Sequence, residues 1–215
     1  MPAPMPDAGP ATAAPRHRLS TEARRREIVA TVLALARERG PDAITTQAVA
    51  DRMGVTQGAV FRHFSDKEAI WLAVFAWVRE SLSAAFEAAV GRVDSPLAKI
   101  EQAFFAHVAF VAANPGVPRV MFHELQYPGD SPVRSYVRSM IADYRKRLVQ
   151  LFAQAKSVGE LPSDLDTAQA AVLVIGAVQG LVIQASLAGD EAAMARRARR
   201  LWTILLDGYR GRRVS

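Results

Sequence analysis

Apolar residues recur at helical spacing along almost the whole chain, and no segment alternates convincingly with period two. Ile28, Val32, Leu35 and Ala36 form the first stripe, between Ser20 and Arg39, and Gly40-Pro41 ends it. A long stripe follows from Ser65 to about Val90, with Val74, Phe75, Val78, Leu82, Ala85, Phe86 and Ala89. Ser65 with Glu68 three residues on predicts a capping box at its start. Ser95-Pro96 and Ser131-Pro132 each place a cap before a proline at the first helical position. Ile100, Phe104, Val108 and Val111 follow the first pair; Val137, Ile141, Tyr144 and Leu148 follow the second. A short helix is predicted between them, from about Pro118 to Gln126. Asp166 is the expected cap of a stretch running to Ala188, and Asp190 that of a last helix carrying Leu201, Ile204 and Leu205. Two short helices between Thr45 and Phe64 bring the total to about nine. The expectation is an all-α chain in four parts: a disordered Pro/Ala-rich arm over 1–19, a three-helix unit over 20–66, a larger helical domain over 67–210, and a tail over 211–215.

Composition narrows the reading only a little. The net charge is +6. A basic chain leans toward nucleic acid or an anionic membrane, yet residues 1–70 carry ten Lys/Arg against eight Asp/Glu, so the charge is not concentrated. Cysteine is absent, which excludes disulfides and thiolate metal sites and is compatible with a reducing cytosol. No apolar run follows the first basic residues, so no signal peptide is expected. Residues 167–189 carry no charge and are long enough for a membrane span. Gln169, Gln179 and Gln184 interrupt them, and a helix apolar all round is equally at home between protein helices. His123-Glu124 lacks a second histidine at helical spacing, and no glycine-rich phosphate loop or nucleophile elbow occurs. No catalytic set, metal site or cofactor is expected. Helical binding modules without a DNA role, and membrane-attached helical proteins, stay open on these grounds.

The informative stretch runs from Thr45 to Lys67, TTQAVADRMGVTQGAVFRHFSDK. Thr45 or Thr46 can cap a helix whose inward residues are Val49, Ala50 and Met53. Gly54 supplies a left-handed turn, Val55 plugs the corner, and Thr56 caps a second helix with Val60 and Phe64 facing in. Two short helices at a tight glycine turn make a helix-turn-helix, whose second helix can enter a major groove. Gln57 can then read a base edge, Gly58 permits close backbone approach, and Arg62 and His63 share the outward side. Lys67 can meet a phosphate, as can the Arg24–Arg26 cluster, and the arm residues Arg16, His17 and Arg18 can enter a minor groove.

From Ile28 onward, over about fifty residues, the chain resembles the tetracycline-repressor (TetR) family of transcriptional regulators. The resemblance rests on Gly40, Thr45, Val49-Ala50, Gly54-Val55, the run Gly58 to Phe64, and Lys67-Glu68. Phe61 stands where the family usually has Tyr, and Ala59 where Thr is common, so two phosphate contacts are absent. The resemblance implies a dimeric, ligand-responsive repressor in the cytoplasm, away from any membrane, on a palindromic double-stranded operator. It implies a DNA-facing set of Thr45, Thr46, Gln47, Thr56, Gln57, Gly58, Phe61, Arg62, His63 and Lys67. It also implies a small-molecule effector site in the larger domain. Phe104, His107, Phe110, Met121, Phe122, Tyr136, Met140 and Tyr144 are its candidates, and their character points to a lipophilic or aromatic ligand. The last two helices are the expected dimer contact, through Gly176, Gly180, Gln184, Leu201, Trp202 and Leu205.

Overall fold

A computed structural model describes residues 20–126, 129–190 and 193–211. The expected arm over 1–19 and the tail beyond residue 211 lie outside the described residues. Among those described there are nine α-helices and no strand: α1 (Thr21–Arg39), α2 (Thr46–Met53), α3 (Gln57–Phe61), α4 (Lys67–Val90), α5 (Pro96–Ala113), α6 (Gly116–Gln126), α7 (Pro132–Ser157), α8 (Thr167–Ala188) and α9 (Met194–Arg210). The first three pack as a helix-turn-helix unit, and the remaining six form the larger all-helical domain.

Helix starts follow local chemistry. The hydroxyls of Ser20, Ser95 and Ser131 each accept the N–H three residues on, which satisfies a donor left over at the first turn. Asp166 does the same for α8 with two amides. Two expected caps differ. Asp66, not Ser65, caps α4: its carboxylate accepts from the Ala69 amide at 2.8 Å, while the Ser65 hydroxyl donates to Asp66 at 2.9 Å. A carboxylate gains more than a hydroxyl from the positive end of a helix, and these bonds hold the Asp66 acid below its ordinary range. Asp190 accepts from the Ala193 amide at 2.9 Å and so closes the turn ahead of α9, which starts only at Met194.

The core runs unbroken through the chain, and no polar or charged residue is fully buried among the described ones. α5 lies near its centre, with Ile100 and Phe104 wholly enclosed. The Phe104 ring stacks on Trp202 of α9 at 5.4 Å, and Phe152 of α7 meets Tyr209 of α9 edge-on at 5.1 Å. The Tyr209 hydroxyl donates to the Ala170 carbonyl at 3.1 Å, which locks α9 to α8. α4 and α8 are long and apolar enough to cross a membrane by length and composition. Within the fold each buries an apolar face, through Val74, Phe75 and Val78 on one and Ala171, Val174 and Val178 on the other.

α6 begins two residues earlier than the sequence pattern indicates. Its first residue, Gly116, lies against α1: a Cβ there would stand 2.3 Å from the Leu33 carbonyl oxygen. From the next turn, Arg119 donates to the carbonyls of Ala36 and Arg37 at the end of α1. These orphan carbonyls have no partner within α1 itself. Gly116→Ala is therefore expected to force α6 off α1 and to cost about 1–3 kcal/mol, measured as a lower urea midpoint at unchanged m-value.

Candidate DNA interface and effector cavity

The Thr45 hydroxyl accepts from the Ala48 amide at 3.0 Å, so Thr45 is the cap of α2 and Thr46 its first residue. Gly54 ends α2 at φ 64°, in the left-handed region, and the chain turns back at once. The Thr56 hydroxyl accepts from the Ala59 amide at 3.2 Å and starts α3. Val49, Ala50, Val60 and Phe64 close the angle between the two helices with apolar contacts.

That packing puts Gln47, Thr56, Gln57, Gly58, Phe61, Arg62 and Lys67 on the exposed side. Phe61 is 43 % exposed, an unusual position for a large ring. It sits on the outer face of α3, where a nucleic-acid backbone would cover it. Gln57 is not free-swinging: its Nε2 donates to the Thr46 hydroxyl at 2.7 Å, which orients the amide and leaves its oxygen outward. Thr45 is exposed as well, and Thr46 and His63 are half-buried. His63 has a buried Nδ1, and its main-chain carbonyl accepts from the Arg25 guanidinium at 2.8 Å.

Sequence reasoning placed Arg25 on a phosphate; in the structure it has intramolecular partners. Its guanidinium also lies over the Phe64 ring, 4.3 Å from the centroid. It thereby pins the end of α3 to α1. Arg24 and Arg26 pair with Glu27 and Glu22 of the same helix. The signal for Arg25 was faint: three consecutive arginines look alike until α1 acquires a facing direction.

In the larger domain an apolar cavity of about 80 Å³ opens between α4, α5, α6, α7 and α8. His107, Phe110, Met121, Phe122, Met140 and Tyr144 line it together. Phe104 and Tyr136 do not. Phe104 faces α9, and Tyr136 lies on the outer side of α7 near the Arg79 guanidinium. The residues not anticipated come chiefly from α8, among them Ile175, Val178 and Gln179. His107 and Tyr144 meet edge-on at 5.0 Å, and the His107 Nδ1 and the Tyr144 hydroxyl are buried without a hydrogen-bond partner. Burial lowers the His107 pKa to about 4 and raises that of the Tyr144 phenol, an effect Arg147 partly opposes.

The last two helices present an apolar surface. Val172, Leu173, Ile183 and Leu187 of α8 and Ile204 of α9 are exposed, and an added Cβ at Gly176 or Gly180 would meet nothing within 4 Å. Gln184 and the half-buried Leu201 adjoin them. Trp202 and Leu205 do not belong to this face, a correction to the sequence reading. They are buried in their own subunit, because with Tyr209 they form the inward row of α9, one residue out of step with Leu201, Ile204 and Gly208.

A helix-turn-helix with an exposed reading face, joined to a helical domain with an apolar cavity, defines a ligand-responsive DNA-binding transcriptional regulator. Residues 28–74 match the family described as bacterial regulatory proteins, tetR family, and residues 128–201 match the tetracyclin repressor-like C-terminal domain. The chain belongs to the TetR family. It is 26 % identical over 167 residues to the nucleoid occlusion factor SlmA of Shewanella halifaxensis, covering 77 % of this chain and 84 % of that protein. Its fold is similar to the fatty acid degradation regulator FadR of Bacillus halodurans, with a TM-score of 0.77, 19 % identity, and 87 % and 97 % of the two chains covered. FadR of Bacillus subtilis, solved in complex with stearoyl-CoA, aligns with a TM-score of 0.74 at 16 % identity over 85 % and 98 %. Among the described residues no group of three or more His, Asp or Glu is placed to hold a metal ion.

The buried imidazole carries a pH signature. The unfolded chain takes up this proton near 6.5, the folded one only near 4. Stability from this group is complete above pH 6.5 and is lost as pH falls through that window. Between pH 7.5 and pH 5, the wild type is expected to lose about 2 kcal/mol more than His107→Gln, read from paired urea titrations at the two pH values.

Proposed function

We propose that this chain is a cytoplasmic homodimeric repressor that holds a palindromic operator and releases it when an apolar effector fills the cavity. The observation that carries the reading is the double engagement of α6. Val117, Met121 and Phe122 form one wall of the cavity. Gly116 and Arg119 of the same helix grip α1, and α1 holds the end of the recognition helix α3 through Arg25. A ligand that enlarges the cavity displaces α6, α1 follows, and α3 changes its presentation to DNA. α6 and α1 thereby offer a direct route from the cavity to the recognition helix. The effector lowers operator affinity only by as much as it prefers the displaced state.

Dimerisation supplies the second recognition helix. The exposed row on α8, with bare backbone at Gly176 and Gly180, lets a neighbouring helix approach closely, and Ile204 of α9 extends it. Burying such a row in a two-fold contact removes apolar surface from water. The two α3 helices then sit about 34 Å apart, one turn of DNA.

Two measurements test the reading. Fluorescence anisotropy on genomic duplex fragments across a salt series is expected to show one fragment bound selectively. Lys67→Ala should weaken all fragments and lower the salt slope by about 1, whereas Gln57→Ala should cost about 1–3 kcal/mol on the selected fragment alone. Equal, mutation-insensitive binding to every fragment would sink it. In sedimentation velocity, Ile183→Asp is expected to convert a dimer to a monomer and to reduce operator affinity with it. A variant that stays dimeric places the contact on another face.

A further inference from the structure

The cavity has a chemical character that narrows its ligand, given the regulatory reading above. No Asp, Glu, Lys or Arg lines it. The polar side chains it contains are neutral at physiological pH: the Gln179 amide carries no charge, and burial holds the His107 imidazole and the Tyr144 phenol in their uncharged forms. The nearest cations stand beyond Tyr144, in an outer groove between α4 and α7. Lys146 lies among them, and the two arginines are engaged there. Arg79 donates to Asp143 at 2.5 Å, and Arg147 bonds to Glu87 and to the Ser83 hydroxyl. A carboxylate, phosphate or ammonium in the cavity would lose its hydration without gaining a counter-charge.

Two buried, unpartnered polar atoms in a mostly apolar cavity point the other way. The His107 Nδ1 and the Tyr144 hydroxyl meet no protein group, although both are buried. Their rings meet edge-on at 5.0 Å and line the same cavity, which puts both within reach of one ligand. Buried polar groups are almost always hydrogen-bonded, and those that are not call for a partner from outside the chain. We propose that the cavity takes an uncharged, largely apolar molecule with one compact oxygen function, a carbonyl or hydroxyl, held by Tyr144 and His107. The phenol donates to the ligand oxygen. The imidazole either donates to it or accepts from a ligand hydroxyl, according to which nitrogen carries the proton.

Size completes the argument. An apolar cavity of about 150 Å³ accommodates benzene, and this one measures about 80 Å³. A ring overfills that space unless part of it stays in the open mouth between the helices. The α6 wall is the one with a grip on α1, which makes the ligand's size part of its action.

Three probes of similar shape separate the possibilities: acetophenone, α-methylstyrene, which replaces its carbonyl by a methylene, and benzoate. Met121 and Met140 line the cavity, so their 13C-methyl NMR signals report occupancy in the full-length protein. Acetophenone is expected to bind about tenfold more tightly than α-methylstyrene. That preference should fall to about twofold or less in Tyr144→Phe and in His107→Phe, and benzoate should leave both signals unmoved. Tyr144→Phe removes an unpaired hydroxyl and keeps the ring, so its melting temperature should equal or exceed the wild type's; a clear fall would show a hidden protein partner and overturn the proposal. Equal or tighter binding of α-methylstyrene, preferential binding of benzoate, or no response to any probe would also overturn it. Operator affinity is measured in parallel. The expected binding pattern without any change in operator affinity supports the ligand class while counting against the regulatory reading.

Discussion

Residue 116 has no side chain, and that allows the backbone of α6 to lie against the Leu33 carbonyl of α1. This contact couples the two halves of the molecule, alongside the packing of α1 on α4. It brings Arg119 within reach of the last carbonyls of α1, and it leaves the opposite face of α6 free to form a wall of the cavity. Close-packed interiors do not deform smoothly; they pass between discrete arrangements. A short helix clamped on one side and bordering a void on the other is where such a change costs least.

The larger domain is built almost wholly from apolar contacts, and its few buried polar atoms are correspondingly informative. The Tyr209 hydroxyl has the Ala170 carbonyl and is structural. The Tyr144 hydroxyl and the His107 ring nitrogen have no partner and border the cavity. The same residue type serves two purposes, separated by whether a carbonyl stands opposite. Outside, Arg79–Asp143 and Arg147–Glu87 join α7 to α4 across the outer groove and close the fold over Tyr144.

Much of this was legible from one sequence, for local reasons. Ser20, Ser95, Ser131 and Asp166 could be read as caps because capping depends on the next three residues only. Gly54 and Thr56 gave the helix-turn-helix because a left-handed turn and a cap fix the angle between neighbours. Ser65 misled because Asp66 beside it competes for the same amides, and the carboxylate wins. The cavity was half visible. Aromatic and methionine residues on the middle helices were the right kind, but nothing local separates His107, which borders the void, from Phe104, which stacks on Trp202. That depends on how α9 is rotated, as does the inward turn of Trp202 itself. The α8 wall was invisible for a related reason: a helix apolar on every side gives no clue to which side meets what.

The recognition helix spans five residues, from Gln57 to Phe61. A helix that short has no stability of its own in water, so its shape is on loan from the Thr56 cap, the Val60 and Phe64 contacts, and the hold of Arg25 on His63. Specificity for a DNA sequence is thus partly encoded in residues that shape the helix from behind, such as Val60 and Phe64, and not only in its base-facing side chains. The heritable record of operator choice in this protein is spread into α1, and a lineage could retune its target genes without altering a single base-facing side chain.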